Sequence, residues 1–392
     1  AYRRPKDGRY MVVNDDRVYE IEQNPIDFDP ESFTVNYTAE TLRQSDFVEI
    51  KRPNARNYYS ENRSKDDIGN FASYSINLQG ALDFRFTEMT SLVLTGEFDY
   101  SHSPNTNLSY FPLNLHNAAN GVSNVQNFMI TADFTQRFKD PEPVKDESNP
   151  GAKSDPVVSK VMYNITAMYN KYKVKSYNEN FGDDIFKYGH IATFERSQSP
   201  SYEWVTNYNY RGTEQAAYVQ NGWIESVSGF EPSVYNPILS NHTSQLYGID
   251  ALKPYLTTFD NILQFNGLVN GSSPSSVYGL FYNVGVQNSS YAKQENNYYY
   301  VQAKAAATVK GHDLEIGFQY DQYTQAYYGL SAYSLWTLMR NNANAHISQL
   351  NYNSPVEHSE GSQLYVTYDR LISGQQTHFS EAMRQALGLD VN

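Results

Sequence analysis

Residues 73–86 read SYSINLQGALDFRF and alternate without a break. Tyr74, Ile76, Leu78, Gly80, Leu82, Phe84 and Phe86 fall on one side of an extended chain, and Ser73, Ser75, Asn77, Gln79, Ala81, Asp83 and Arg85 on the other. Successive strand side chains point to opposite faces. A period of two therefore describes a long strand with one apolar and one polar side. The stretch Thr87–Glu88–Met89–Thr90 is a short polar turn, and the pattern resumes beyond it. Leu92, Leu94, Gly96, Phe98 and Tyr100 alternate with Val93, Thr95, Glu97 and Asp99.

The same alternation returns three more times. Phe128, Ile130, Ala132, Phe134 and Phe138 stand against Asn127, Thr131, Asp133, Thr135 and Arg137; Val161, Tyr163, Ile165, Ala167 and Tyr169 stand against Asn164, Thr166 and Asn170. A late hairpin runs through Tyr299, Val301, Ala303, Ala305, Ala307 and Val309, turns at Gly311–His312, and continues through Leu314, Ile316, Phe318 and Tyr320. Such strands occur in a soluble sandwich, where the apolar face points to a core, and in a transmembrane barrel, where it meets lipid. Length separates the two, because sandwich strands run about 5–6 residues and tilted membrane strands about 9–11. Aromatic residues at the segment ends match an interfacial girdle. Short turns at 87–90 and 311–312 alternate with long polar connections at 101–123 and about 178–297, as in outer-membrane barrels. The sequence thus predicts an all-β chain: an antiparallel transmembrane β-barrel portion with Tyr74, Ile76, Leu78, Leu82, Phe84, Leu92, Leu94, Phe98, Phe128, Ile130, Phe134, Val301, Val309, Leu314, Ile316 and Phe318 facing lipid.

Composition agrees with a folded, aromatic-rich object. The 392 residues include 35 Tyr, 20 Phe, 3 Trp and no Cys, with 30 Lys and Arg against 43 Asp and Glu. The absence of cysteine excludes disulfides, thiol nucleophiles and Cys-ligated zinc. A net charge of −13 disfavours nucleic-acid binding. No apolar run reaches the ~18 residues of a transmembrane helix. The chain opens at Ala1 without an initiator Met and stops at Asn392 with no closing element, so a piece of something longer is expected.

The stretch from Lys139 to Pro156 (KDPEPVKDESNPGAKSDP) is expected to be a solvated, disordered insertion. Its carboxylates do not have the spacing of an EF-hand. Two helices are expected in loops: one over Ser334–Ile347, and a short one over Phe379–Leu389 capped by Ser380 and stopped at Gly388. The resulting division is an irregular barrel start over 1–70, barrel strands over 71–177, a loop region with some strands over 178–297, a barrel hairpin over 298–328, and loop helices with one further strand over 329–392.

Several stretches resemble the barrel of a TonB-dependent outer-membrane receptor of the Bacteroidota, starch-utilisation-like (SusC-like) type with a carboxypeptidase-regulatory-like extension. They are Asp46–Ala55, the strand pairs from Tyr74 to Phe138, Phe186–His190, Val219–Trp223, Ser334–Arg340 and Ala386–Leu389. The resemblance implies part of a large, 22-stranded barrel in a bacterial outer membrane. It further implies import of a large substrate such as a glycan or peptide, and coupling to a TonB-type energy-coupling protein through a segment not present here. A surface lipoprotein lid and outer-membrane lipid are the other implied partners. Two other readings stay open: a structural barrel of an assembly or secretion complex, and a soluble β-rich glycan-binding module.

Motifs for catalysis are missing. The eight His, at 102, 116, 190, 242, 312, 346, 358 and 378, form no HExxH and no close pair, so no metal centre is expected. No GxSxG, Walker or GxGxxG motif occurs. The carboxylate pairs Asp15/Asp16, Asp66/Asp67 and Asp183/Asp184 are adjacent in sequence and in strands would face opposite ways. Seven Asn-X-Ser/Thr sequons, Asn107, Asn241 and Asn288 among them, match the richness in Asn and Ser. The expectation is no enzyme, no cofactor and no nucleic-acid partner. Substrate contact is assigned to loop aromatics, Tyr202, Trp204, Tyr208, Tyr210, Trp223 and Tyr235, because ring faces stack on sugars or apolar side chains and neighbouring amides donate and accept hydrogen bonds.

Overall fold

The computed structural model describes residues 9–51, 73–104, 121–145, 153–154, 156–277, 281–371, 377–386 and 388. Most of them lie in antiparallel strands, with few helices. The chain is all-β. It starts with a small unit: β1 (Arg9–Val13), α1 (Asp15–Gln23), β2 (Ile26–Asp29), β3 (Thr34–Tyr37) and β4 (Phe47–Lys51), in which β1 pairs with β4 and β2 with β3. The Asn14 side chain caps α1 by accepting from the Asp16 N–H. Long strands follow: β5 (Tyr74–Thr87), β6 (Thr90–Pro104), β7 (Val122–Arg137), the two-residue β8 (Val144–Lys145) and β9 (Lys153–Ser154), then β10 (Val158–Tyr177).

An excursion then leaves the main sheet. It holds β11 (Ala192–Tyr210), β12 (Thr213–Pro232), α2 (Pro237–Gly248), α3 (Phe259–Gln264), β13 (Ser276–Val277) and β14 (Phe281–Tyr282). The chain returns as β15 (Ser290–Val309) and β16 (His312–Ser331), then α4 (Ala332–Ser348), β17 (Leu350–Glu360), β18 (Gln363–Arg370) and α5 (Thr377–Ala386).

The long strands form one six-stranded meander in the order β16-β15-β10-β7-β6-β5. Every pairing in it is antiparallel, and β10 pairs with β15 across the excursion between them. The period of two is preserved in the register. Phe84, Leu92, Phe134, Ile165, Ala303 and Phe318 sit side by side across all six strands, and so do Leu82, Leu94, Ala132, Ala167, Val301 and Tyr320. Each residue assigned to the lipid-facing set lies on this one face. That face is uncovered among the described residues: Leu78 is 60% exposed, Phe318 66% and Ile316 75%. In β5 and β16, which each have one strand neighbour among the described residues, every side chain but Leu330 is exposed on both faces.

Hairpin geometry explains the β15–β16 register. Lys310 and Gly311 have φ of 49° and 80°, the two left-handed positions of a type I′ turn. His312 is therefore not a turn residue; it pairs with Val309. The Arg211–Gly212 turn of the β11–β12 hairpin is built the same way. The 139–156 connection is less formless than its composition suggested. β8 and β9 pair across it, and the Asp140 carboxylate accepts from the Lys160 N–H at 2.5 Å, beside a bulge in β10. Residues 146–152 and 155 lie outside the described set, as do 105–120 of the 101–123 loop and 52–55 of the first resembling stretch.

The packed core sits at the long-connection end of the sheet. Val13, Val18, Ile21, Ala39 and Leu42 of the first unit pack with Val277 and Val284. Ile26, Val35 and Tyr37 pack with Val227, Leu246, Leu252 and Ile262. Phe181, Tyr188, Tyr291 and Ala332 tie the excursion to the tops of β10, β15 and β16. The Asn241 Nδ2 amide donates to the Glu22 and Gln23 carbonyls at 2.8 and 2.9 Å, satisfying the open end of α1. The two expected loop helices are present as α4 and α5. The second begins at Thr377, so Ser380 lies inside it rather than at its cap. The 329–392 region holds two strands, β17 and β18, where one was expected.

Candidate functional site

A second, four-stranded sheet carries most of the residues assigned to substrate contact. Its order is β11-β12-β18-β17, and β12 and β18 are parallel, with Ala217, Tyr218 and Val219 opposite Leu364, Tyr365 and Val366. Two hairpins laid side by side place their inner strands parallel here. The alternation puts Ala217, Leu364 and Val366 on one face, where they form a small core with Tyr208, Tyr210, Val219 and Tyr368 around it. On the other face Trp204, Tyr218, Tyr365 and His358 line up in a single row across all four strands.

Ring geometry decides what this row can do. Tyr218 and Tyr365 stack at 5.0 Å with an 18° interplanar angle, and His358 stacks on the far side of Tyr365 at 5.6 Å and 17°. Trp204 tilts against Tyr218 at 4.7 Å, and Tyr202 meets Tyr365 edge-on at 5.3 Å. The faces of Tyr218 and Tyr365 are therefore taken up by their neighbours. The Tyr365 hydroxyl donates to Gln363 Oε1 at 3.1 Å, and the large open ring surface belongs to Trp204, which is 51% exposed. The row is a line of phenol edges with an indole face at one end. Such an array offers hydrogen bonds along a chain of polar groups and one stacking contact.

The row is held from below by polar contacts. The Tyr208 hydroxyl donates to Glu357 Oε1 at 3.0 Å, and burial, then the Glu357 carboxylate, push that phenol up to about 12. Gln220 is buried, and its Oε1 accepts from the Tyr368 N–H at 3.0 Å, where the parallel pairing ends. Burial also raises the Tyr202 phenol above its ordinary range. Glu357 and Glu360 are the carboxylates on the strand beside the row.

The structure brings Tyr202, Trp204, Tyr208, Tyr210 and Trp223 into this one sheet, Trp223 away from the row, and leaves Tyr235 apart. Trp223 lies further along β12 opposite Pro200, with its Nε1–H buried and unbonded among the described residues. Tyr235 joins a different group: it meets His190 edge-on at 5.7 Å beneath the Lys187 ammonium, while Trp336 lies 5.6 Å from His190 and donates its Nε1–H to the Tyr188 carbonyl at 2.7 Å. Burial lowers the His190 imidazole and pushes the Tyr188 phenol up to about 12. Sequence reasoning missed Tyr218, Tyr365 and His358. Their period was visible, but the parallel pairing that aligns them joins segments far apart in the chain.

The polar face of the six-stranded sheet is a second constellation. Asp99 accepts from Asn77 Nδ2 at 2.5 Å and from Asn127 Nδ2 at 3.3 Å, and Asn127 Oδ1 accepts from Asn170 Nδ2 at 2.7 Å, a ladder over four strands. Lower down, Asp133 accepts from Asn164 Nδ2 at 2.7 Å and Thr166 Oγ1 at 2.8 Å. Asn164, one of the sequons, is thus committed to the ladder. Among the described residues no three His, Asp or Glu gather as metal ligands. Compared with family models and with curated proteins, the chain matches none.

Proposed function

We propose that the six-stranded sheet is part of the wall of an outer-membrane β-barrel, and that the elements at its long-connection end form an extracellular cap that captures substrate for TonB-coupled import. The observation that carries this reading is an apolar band edged by aromatic rings that steps along the sheet. Its upper edge runs through Tyr74, Tyr100, Phe128, Tyr169, Tyr299 and Tyr320, one residue on each of the six strands. Tyr74 contacts Tyr100 at 5.9 Å, Phe128 contacts Tyr169 at 6.5 Å, and Tyr169 contacts Tyr299 at 5.0 Å.

The edge slips by eight residues of register over the five strand spacings. At ~3.3 Å per residue and ~4.8 Å per strand, that is a slope of about 48°, close to the 35–45° tilt of membrane strands. Taking the aromatic line as level, the ten residue steps from Phe128 to Phe138 on and just beyond β7 rise about 22 Å, near the ~25 Å apolar band of such barrels. A continuous apolar face over six strands, uncovered among the described residues, fits a lipid or partner surface.

On this reading the amide ladder lines the wet interior, and further strands continue the wall beyond β5 and β16. The first unit, packed on the cap, lies outside the cell with it. No helix of the described residues is long and apolar enough to cross a membrane, which says nothing of strands. Import of a glycan or peptide rests on the resemblance of the sequence together with the Trp204 row. The test is expression in an outer-membrane host: the protein is expected in the carbonate-resistant membrane fraction, migrating faster on a gel before boiling than after. Recovery in the carbonate-soluble fraction would sink the membrane reading. Screening glycan and peptide arrays with the full chain tests the row, and binding that survives both Trp204→Ala and Tyr365→Ala places the substrate elsewhere.

A further inference from the structure

Directly above the aromatic edge, on the same face as the apolar band, the sheet turns basic. Lys171, Lys173 and Lys175 succeed Tyr169 up β10, and Lys293 pairs with Lys175 from β15. Two carboxylates hold these four ammoniums in place. Glu295 bridges Lys171 at 2.7 Å and Lys173 at 3.4 Å, and Asp183 bridges Lys175 at 3.0 Å and Lys293 at 3.1 Å. The Tyr291 hydroxyl donates to Asp183 as well, and with the two lysines it holds that carboxyl far below the usual range. His102 lies in the same register row as Lys175 and Lys293, 3.6 Å from Glu179. A cavity of about 500 Å³ opens here, lined by Asn124, Gln126, Lys173, Lys175, Lys293 and the Glu295 carboxylate among others. The four lysine side chains remain between 32% and 50% exposed.

We propose that this cavity binds the phosphate of an anionic lipid headgroup in the outer leaflet. This rests on the membrane reading above. Four ammoniums against Glu295, Asp183 and the Glu179 beside His102 leave an excess of one positive charge, in a chain whose net charge is −13. That excess sits on the lipid side of the wall, within a few residues of the girdle, where headgroups lie. Juxtamembrane lysines attract anionic lipid at such sites. Each carboxylate fixes the spacing of two ammoniums without cancelling both, and the Asn124 and Gln126 amides add donors for phosphate oxygens.

The test uses the full chain in neutral detergent, with short-chain lipid A and phosphatidylglycerol as probes and inorganic phosphate as competitor. At about fivefold per lysine, the Lys173→Gln/Lys293→Gln double variant is expected to bind either lipid roughly 30-fold more weakly, with a shallower salt dependence. Inorganic phosphate at equal concentration should not displace the lipid. Unchanged binding in the double variant overturns the proposal, and so does full displacement by inorganic phosphate, which would make the cavity a site for free phosphate. The gel-mobility shift on boiling is read on the same samples: a protein that shifts while the double variant binds normally refutes the lipid site alone, and a protein that neither shifts nor resists carbonate refutes both.

Discussion

Replacing Phe318 with Arg separates a wall in lipid from a sheet in water. Phe318 lies mid-band on β16, opposite Ala303, and is 66% exposed. In water such a site tolerates a charge, because a substitution with little buried contact to lose changes stability by at most about 0.5 kcal/mol. In lipid an arginine near the midplane costs about 2–4 kcal/mol. Loss of the phenyl contact with hydrocarbon adds part of the ~1.5–3 kcal/mol associated with burying a large apolar side chain. The expected destabilisation is about 3–5 kcal/mol, a shift of about two to nearly four decades in the folding equilibrium. Gln319→Arg, one residue on and on the opposite face, is the matched control and is expected to change stability by less than about 1 kcal/mol. The assay is urea titration of the full chain refolded into phosphatidylcholine vesicles, read by gel mobility and tryptophan fluorescence. Equal midpoints for Phe318→Arg, Gln319→Arg and the parent chain would refute the reasoning, whatever the cellular fraction in which the protein is found.

Three further outcomes follow from single sites. His242 is wholly buried between the Tyr37 ring and the Val284 carbonyl, and burial lowers its imidazole to about 4. The unfolded chain takes up its proton near 6.5 while the fold resists until about 4, so stability of the cap is present above the first value and lost as pH falls toward the second. The loss is about 2 kcal/mol at pH 5. Protease resistance of the cap measured at pH 7 and pH 5 should show it, and His242→Leu should flatten the difference. Asp133→Ala removes the acceptor of Asn164 and Thr166 and is expected to cost about 1–2 kcal/mol in the same urea titration, with Asp133→Asn keeping roughly half. Gly311→Ala forces a Cβ into a φ of 80° and should cost about 1–2 kcal/mol, whereas Gly80→Ala, with ordinary φ and open space, should be neutral or mildly stabilising; equal midpoints for the two would contradict the type I′ assignment.

The strands of the main sheet were legible because their physics is local. A two-sided strand writes its period into consecutive residues, so Tyr74 to Phe86 could be read without knowing any partner. Hairpin ends were less legible: the turn after Val309 was placed one residue late, because a type I′ turn is defined by φ at two positions and the glycine marks only the second. The cap was legible in composition and not in arrangement. Trp204 and Tyr208 could be singled out as loop aromatics. Trp204 meets Tyr218 of β12, whose row continues through Tyr365 of β18 and His358 of β17, aligned by a parallel pairing with no local signature. Nor did sequence alone suggest that the faces of Tyr218 and Tyr365 would be used up by stacking, which moves the stacking role to Trp204 and leaves hydrogen bonding to the rest. The lysines above Tyr169 were visible as KYKVK, but the excess of charge became meaningful once Lys293 and the two bridging carboxylates were placed beside them.

The abundance of tyrosine has three separate physical causes in this fold. At the edge of the apolar band, Tyr74, Tyr100, Tyr169, Tyr299 and Tyr320 join an apolar ring to a hydroxyl, the combination suited to a boundary between hydrocarbon and water. In the four-stranded sheet Tyr218 and Tyr365 serve as stacked struts whose faces pack on each other, with the Tyr365 hydroxyl donating to Gln363 Oε1 at 3.1 Å. In the cap core Tyr188 is 1% exposed; its hydroxyl donates to the Gly182 carbonyl at 2.9 Å and accepts from the Asn178 N–H at 2.9 Å, which satisfies a buried loop without any regular ladder. A hydropathy scale assigns one value to all of these. A mean of −0.63 therefore does not argue against the proposed wall in lipid: the polar face and the elements at the long-connection end outweigh the band in the average, and in that proposal the band alone would meet hydrocarbon.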